Sequence, residues 1–495
     1  MEEKEVKEKV ESKEVQEEVK EEQEVKEEKK IKIVDTDDHQ KDGENRCPQC
    51  GASDITYNIE KQKLICNYCY AEFDAESVKG LEKDVTQLKG ETRTTGTKDI
   101  VEGNDVITLR CGGCGAEVVI NTAETANARC HWCRSILSIN SQVENGAIPD
   151  MVLPFKLSKE EAKQKIEKFV GDRQFFANST FKKEFTTNNI MGVYFPYMLV
   201  DANCHGNFEG IGGHIARTYR ISKGKNSKGE EEYETVYDID KYHVSREFNI
   251  AIDDLSIESS IDKLDKNNKT KTTNVINSVM PFDTENCVKY KGNYLVGYTS
   301  EKRDVNISNI ESKVDQEIQD VARHALNQDL KHYDSGVDWK TEELKIEGKQ
   351  WVSAYLPVWL YSYQDPGKAL HYVAVNARTG ETMGSVPMNT GKLALISILI
   401  FLAIFIAALF ISSEAEVIGI LTFVAIITSI CFFVLKSSKY RNKAARHQYE
   451  SETRNQLDIL SRKDEYYSTD KECSFSSLSG ANNHKLVGEN IKVEK

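Results

Sequence analysis

The chain predicts an α+β protein built from two small β zinc ribbons, a mixed α+β core that reads as two related halves, and a C-terminal transmembrane helical hairpin. Three observations carry this. Two C-x₂-C pairs, Cys47/Cys50 and Cys66/Cys69, stand fifteen residues apart, and the same spacing returns at Cys111/Cys114 and Cys130/Cys133. Helical and strand periodicities are mixed between about residues 151 and 390. Two uncharged stretches of nineteen residues, Leu393 to Ile411 and Val417 to Leu435, follow.

Composition bounds the rest. At 495 residues and 39% hydrophobic content, the chain is long enough for several domains with at least one sizeable core. A net charge of −14 disfavours a protein devoted to gripping phosphate backbones, which rely on Lys and Arg to displace counterions. Eight of twelve cysteines fall in the two clusters, while Cys204, Cys287, Cys431 and Cys473 are scattered singly, a pattern that favours a reducing compartment. The N-terminal stretch has no apolar h-region, so no cleaved secretory signal is expected.

Residues 1–45 read as a solvated acidic and Lys-rich tail, because valines at 6, 10, 15, 19 and 25 settle into no heptad and bury too little to offset ordering entropy. The first ribbon spans 46–73. Asp54 to Ile59 and Lys61 to Ile65 are β-like, giving a strand, a turn and a strand between the cysteine pairs. So small a unit has no adequate core, and metal binding is expected to supply its folding energy, on the order of 10–16 kcal/mol for zinc peptides. Residues 74–106 read as a linker. The second ribbon, 107–140, repeats the plan, with Gly115-Ala116 echoing Gly51-Ala52.

Eight thiolates in two sets of four, Cys47, Cys50, Cys66 and Cys69, then Cys111, Cys114, Cys130 and Cys133, predict two structural Zn²⁺ sites. A cross-brace pairing Cys47/Cys50 with Cys111/Cys114 would ignore the equal spacing within each copy. Rubredoxin-type iron usually wants glycine after both pairs, whereas Tyr70 and Arg134 follow the second pairs. Redox C-x-x-C chemistry needs a helix start and a βαβ setting, and neither is visible. His131, inside CHWC, is read as a bystander to the metal.

In the core, 151–390, Ser158-Lys159-Glu160-Glu161 has the form of a capping box opening a helix near 159. Ile307, Ile310, Val314, Ile318, Val321, Ala325 and Leu326 write a longer helix whose apolar stripe should lie on a sheet. From Tyr355 to Tyr363 alternation puts Tyr355, Trp359, Tyr361 and Tyr363 on one face and Leu356, Val358 and Leu360 on the other. The Tyr-x-Pro opening recurs at Tyr194-Phe195-Pro196, and Leu153-Pro154-Phe155 is echoed by Met280-Pro281-Phe282, which predicts halves at about 151–275 and 276–390. Hairpins are expected around 223–229 and at Ala377-Arg378-Thr379-Gly380. Cys204-His205 with His214 is a poor thiol and base, because neighbours on a strand point to opposite faces. The sequence contains no P-loop, G-x-S-x-G or H-E-x-x-H, so no catalytic residues are assigned and the chain is expected not to be an enzyme.

Each uncharged stretch reaches about 28 Å at 1.5 Å per residue, close to the hydrocarbon thickness. The five residues between them allow only a reversal, so 393–411 and 417–435 predict two antiparallel spans through the lipid bilayer of the cell membrane. The turn lacks Lys and Arg, whereas Lys392 precedes the first span and Lys436, Lys439, Arg441, Lys443 and Arg446 follow the second. The positive-inside rule then puts both termini in the cytoplasm. Residues 436–495 form the expected cytoplasmic tail, opening with a short helix around Leu457, Ile459 and Leu460.

Through Cys47-Pro48-Gln49-Cys50-Gly51 with Cys66 and Cys69, Val193-Tyr194-Phe195-Pro196, Tyr355-Leu356-Pro357-Val358-Trp359 and Ala377-Arg378-Thr379-Gly380, the chain resembles bacterial membrane proteins named for a zinc ribbon similar to that of transcription factor IIB. The resemblance covers roughly Arg46 to Leu435. It implies a zinc ribbon on a membrane protein but no settled activity, and the second ribbon departs from the family's single-ribbon pattern. The function expected from these features is that of a membrane-anchored, cytoplasm-facing, non-enzymatic adaptor with a protein partner. The alternative is a membrane-tethered nucleic-acid binder using Arg110, Arg129, His131, Trp132 and Arg134 of the second ribbon.

Overall fold

The computed structural model describes residues 31–36, 47–52, 54–97, 106–110, 117–121, 129–132, 142–143, 149–225, 231–259, 279–303, 305–364, 370–411, 415–440 and 453–473. Three of its strands, β2 (Ile55–Asn58), β3 (Lys63–Cys66) and β4 (Glu72–Phe73), form a small separate sheet. The other fourteen belong to one large sheet. In chain order these are β1 (Lys32–Val34), β5 (Gly90–Thr94), β6 (Val106–Arg110), β7 (Glu117–Asn121), β8 (Gln142–Val143), β9 (Met151–Val152), β10 (Met191–Lys225), β11 (Glu231–Glu258), β12 (Val288–Lys289), β13 (Thr299–Glu301), β14 (Val337–Gln364), β15 (Leu370–Asn376), β16 (Thr382–Gly384) and β17 (Arg454–Cys473). The helices are α1 (Lys159–Gly171), α2 (Ser179–Glu184), α3 (Ile307–Leu326), α4 (Thr390–Ile411) and α5 (Ala415–Tyr440).

The repeated Tyr-x-Pro segments meet each other. β10 and β14 run antiparallel with Tyr194 opposite Pro357, Phe195 opposite Leu356 and Pro196 opposite Tyr355, so a local two-fold passes through the Phe195/Leu356 pair. Around it, β10 carries the hairpin partner β11 and β14 carries the hairpin partner β15. β9 lies parallel beside Ala354 and Tyr355, while β13 lies parallel beside Val193 and Tyr194, the equivalent positions. Each of these short strands leads after the same interval to a capping box, Ser158 with Glu161 opening α1 and Asn306 with Asn309 opening α3. The helices are exchanged: α1 packs on β14 and β15, and α3 on β11. Their buried rows correspond, Ala162, Ile166 and Val170 in one and Ile310, Val314 and Ile318 in the other.

This alters the expected division. The Leu153-Pro154-Phe155 echo at Met280-Pro281-Phe282 is not the structural equivalent, because Thr299–Glu301 takes that place. Met280-Pro281-Phe282 instead packs against the opposite face of the sheet, with Asn376 Nδ2 donating to the carbonyls of Val279 and Pro281 at 2.9 and 2.8 Å.

Alternation along the central strands behaves as the sequence predicts. Tyr355, Trp359, Tyr361 and Tyr363 face the helical side with Tyr194, whereas Leu356, Val358 and Leu360 face the other side with Val193, Phe195 and Tyr197. Cys204 lies in the core under α3, where burial pushes its thiol up to about 12, so it is no nucleophile at neutral pH. His205 pairs with Asn249 at 2.9 Å and His214 with Asp334 at 2.8 Å, both in exposed settings. No thiol and base constellation arises from these three residues.

Two segments differ from expectation. The stretch read as a linker, 74–106, contains β5, which lies parallel to β14 and to β1, itself part of the stretch read as a tail. Its burial is polar and escapes a hydrophobic pattern: Thr94 Oγ1 donates to Asp150 Oδ2 at 2.5 Å, and Gly96 and Ser353 donate backbone N–H to the same carboxylate at 2.8 Å each. The stretch 454–473 is a strand rather than a short helix. Leu457 and Ile459 stand two apart and both pack inward beside β11, while Leu460, which a helix would place with Leu457, is exposed. Residues 1–30, the tip of the β10–β11 hairpin and 441–452 lie outside the described residues.

α4 and α5 are long and apolar enough to cross a membrane. Only 17% and 6% of their most apolar windows are buried, whereas a helical pair in a soluble core would be mostly covered. Ser429 Oγ donates to the Ser397 carbonyl at 2.7 Å, joining the two helices. Leu393 near the start of α4 and Tyr440 at the end of α5 are buried in the core on the helical side of the sheet.

Candidate metal centre

The small sheet folds as the spacing predicts: Ile55 pairs with Cys66 and Asn58 with Lys63, so the chain leaves the first cysteine pair on β2 and returns to the second on β3. Each pair is wrapped in the same backbone turn. Gly51 N–H donates to the Cys47 carbonyl at 2.8 Å and Cys47 N–H to the Ala52 carbonyl at 2.8 Å; Tyr70 and Cys66 repeat this with Ala71 at 2.9 and 3.0 Å. The residue after each pair has positive φ, +75° at Gly51 and +60° at Tyr70.

These turns bring Cys47, Cys50, Cys66 and Cys69 together, with their ligand atoms all within 4.8 Å of one another. Cys47 and Cys69 sulfurs are 3.5 Å apart and Cys50 and Cys66 sulfurs 3.7 Å. Sulfur atoms on a tetrahedron about 2.3 Å from its centre are separated by about 3.8 Å, so the set fits one metal ion. Desolvation pushes the Cys47 thiol up, but the backbone N–H groups of Cys50 and Gln49 and the adjacent thiols outweigh it and bring it down to about 7. At Cys50 the Ala52 N–H pulls down, but burial and the three neighbouring thiols push the group up to about 12, so the four sulfurs share charge as one set. Thiolate is the form a metal binds.

Tyr70 holds a left-handed backbone conformation that costs a non-glycine residue about 1–2 kcal/mol, and its ring is 77% exposed, so little packing is at stake. Tyr70→Gly is expected to stabilise this turn by about 1 kcal/mol, raising the chelator concentration needed to strip the metal from the purified chain.

The ribbon is docked rather than free. Tyr57 packs against Tyr294 with ring centroids 5.3 Å apart, Asn293 Nδ2 donates to the Ile55 carbonyl at 2.9 Å, and Gln62 Nε2 donates to the Phe155 carbonyl at 3.2 Å. Arg378 is the clamp between ribbon and core. It binds Asp283 through two nitrogens at 2.7 and 2.8 Å and reaches the Pro154 carbonyl at 3.2 Å and Gln62 Oε1 at 3.4 Å. The turn that presents it is set by Asn376, whose Oδ1 accepts from the backbone of Arg378 and Thr379, and by Gly380 at φ +78°.

Of the second cysteine set, Cys111, Cys114 and Cys133 lie outside the described residues. Cys130 is buried. Among the described residues around this set, β6 leads into the first pair and β7 out of it, with Arg110 opposite Glu117, and β7 joins the large sheet by pairing with β13. His131 and Trp132 are anchors. Both bind Glu301 Oε2 on β13, at 2.8 and 2.9 Å, Ser362 Oγ donates to the His131 carbonyl at 2.7 Å, and both side chains are buried. Sequence reasoning missed this, since the fixing carboxylate lies far along the chain.

A second group within 4.8 Å, Asp201, Asp253 and Asp254, is spoken for. Arg454 at the start of β17 pairs with Asp253 at 3.0 Å and with Asp254. Burial, with the neighbouring Asp254 charge, pushes the Asp201 carboxyl up to about 7, while the Asp254 N–H and Gln350 Nε2 bind it at 2.8 and 3.0 Å.

No family model matches the chain, and no solved structure matches it. Among curated proteins it is similar to the Uncharacterized protein YdjG of Bacillus subtilis (strain 168), 23% identical over 246 residues. That alignment takes in 50% of this chain and 66% of the relative, just under two thirds of its length.

Proposed function

We propose that this chain is a membrane-anchored adaptor whose soluble body faces the cytoplasm and whose first ribbon presents a zinc-stiffened binding surface. The observation that carries this reading is the coupling of a closed four-thiol site to a body tied to the hairpin on both sides. Four protein sulfurs fill a tetrahedral ion's coordination, as structural sites do. β17, which follows the hairpin, pairs along most of its length with β11, which precedes it, so both flanks of the hairpin belong to one body. That arrangement calls for an even number of crossings, and the lysines and arginines beside the outer ends of the spans favour the cytoplasmic side. A second zinc at Cys111, Cys114, Cys130 and Cys133 completes the proposal. Nucleic-acid binding draws less support, because His131 and Trp132 of the expected patch are turned into the sheet.

The binding surface is the outer turn of the first ribbon, where Tyr68 and Tyr70 are 79% and 77% exposed. With p-benzoylphenylalanine at position 68 in the full chain, irradiation of intact membranes is expected to give a discrete protein adduct that disappears in Cys47→Ser. Nuclease-sensitive adducts, or none, would overturn the adaptor reading.

A further inference from the structure

The turn after α1, Gln174–Phe176, ends in two phenylalanines with opposite fates: Phe176 is 5% exposed and Phe175 is 62% exposed. Phe176 is fastened to the outer ends of the apolar helices. Its N–H donates to Tyr440 Oη at 3.0 Å, its carbonyl accepts from Asn389 N–H at 2.7 Å, and its ring lies 6.4 Å from that of Phe432. Phe432 stands inside the uncharged stretch that ends at Leu435. A segment touching it has reached the depth where hydrocarbon begins.

Cations ring the same turn. Lys392 Nζ lies 4.0 Å over the Phe175 ring and donates to its carbonyl at 2.8 Å. Arg173 Nε donates to the Lys439 carbonyl at 2.8 Å, and Lys436 Nζ stands 5.8 Å from the Phe432 ring. In a chain of net charge −14 this is a basic collar. Long cationic side chains place their heads at phosphate level while their stems and neighbouring aromatics lie deeper. The internal two-fold points to the same spot. Where the second half continues α3 into the long first part of β14, the first half leaves α1 for this turn and α2, and so departs from symmetry where the hairpin attaches.

We propose that the Gln174–Phe176 turn is a third membrane contact, with Phe175 inserted among phospholipids at the interface and Lys392, Arg173 and Lys436 meeting their phosphates. The occupant of this surface is lipid, by continuity with the bare apolar faces of α4 and α5 and by the charge of the collar. The inference rests on the hairpin crossing the bilayer. It adds a fixed tilt of the body on the membrane, which two helices joined to it through short connections would not impose.

The test uses the full chain in vesicles of phosphatidylcholine and phosphatidylglycerol, with p-benzoylphenylalanine at position 175, at position 423 in α5, or at exposed position 68 on the ribbon. Phospholipid adducts are expected by mass at 175 and 423 and absent at 68. Lipid at 423 with protein adducts or no reaction at 175 overturns the contact and leaves the hairpin reading standing. No lipid at either 423 or 175 overturns both.

Discussion

Cys47→Ser is expected to lower the metal content of the purified chain by one ion and to unfold the first ribbon without unfolding the body. The ribbon's own fully buried apolar contribution is small: Ile55 and Leu64 with Cys47 and Cys66, while Ala52, Tyr57, Ile59, Ala71 and Phe73 are only partly buried against the core. A zinc ion bound there, at the about 10–16 kcal/mol of zinc peptides, would therefore carry most of its folding energy. A serine hydroxyl at the site leaves three thiolates and a poor ligand. Docking contacts such as Tyr57 on Tyr294 and Gln62 on the Phe155 carbonyl cannot hold an unfolded segment in register. The large sheet, by contrast, is closed by β10, β11, β14 and β15 and needs none of the four cysteines. Limited proteolysis should cut within 47–73 and spare the strands at 191–225, 231–258, 337–364 and 370–376. Full metal content together with protection of the ribbon would refute the assignment.

Arg246→Ala is expected to loosen β17 by about 2–4 kcal/mol. Arg246 on β11 is 1% exposed and holds two carboxylates, Asp329 just past α3 at 2.7 Å and Asp464 on β17 at 2.7 and 3.1 Å. Removing one partner of a sealed buried pair costs about 3–5 kcal/mol. The lower figure applies here because Asp464 is 34% exposed and regains some hydration. Amide exchange across 454–473 should accelerate tenfold or more, at about 1.4 kcal/mol per decade, while exchange in β10 and β14 stays unchanged. Uniform acceleration through the whole sheet, or none in β17, would refute this placement of the arginine.

The same cluster sets a pH response. Burial pushes the Asp329 carboxyl up, but hydrogen bonds and charge from Arg462 and Arg246 outweigh it and hold the group below its ordinary value. A carboxyl depressed in the folded state contributes stability above its unfolded pKa, about 3.9, and loses it as pH falls through the lower folded value. β17 should therefore loosen below about pH 4, with a shallower acid dependence in Arg246→Ala.

Where burial followed side-chain apolarity, the sequence was readable. α1 and α3, the two faces of Tyr355 to Tyr363, the ribbon strands and the apolar helices all carry a 3.6-residue, two-residue or uninterrupted hydrophobic pattern. β5 escaped because threonines and a buried carboxylate do the work that aliphatic side chains do elsewhere. β17 escaped because an edge strand shows only one weakly apolar face, and pairing with β11 rather than its own pattern fixes it. The exchange of helices between halves has no sequence signature, since the same stripe on α1 fits either hairpin. The four sulfurs of the first site were legible from spacing, whereas the Glu301 anchor of His131 and Trp132 depends on a contact that only the folded chain creates.

The pairing of β17 with β11 also imposes an order on biosynthesis. Synthesis runs from the N-terminus, so both apolar helices leave the ribosome before the strand that covers β11. Until then β11 presents an open hydrogen-bonding edge along a 28-residue strand, the kind of edge that invites pairing with a second chain. The covering of β11 thus waits until α4 and α5 have been made, and a chain truncated between Tyr440 and Arg454 keeps that edge open.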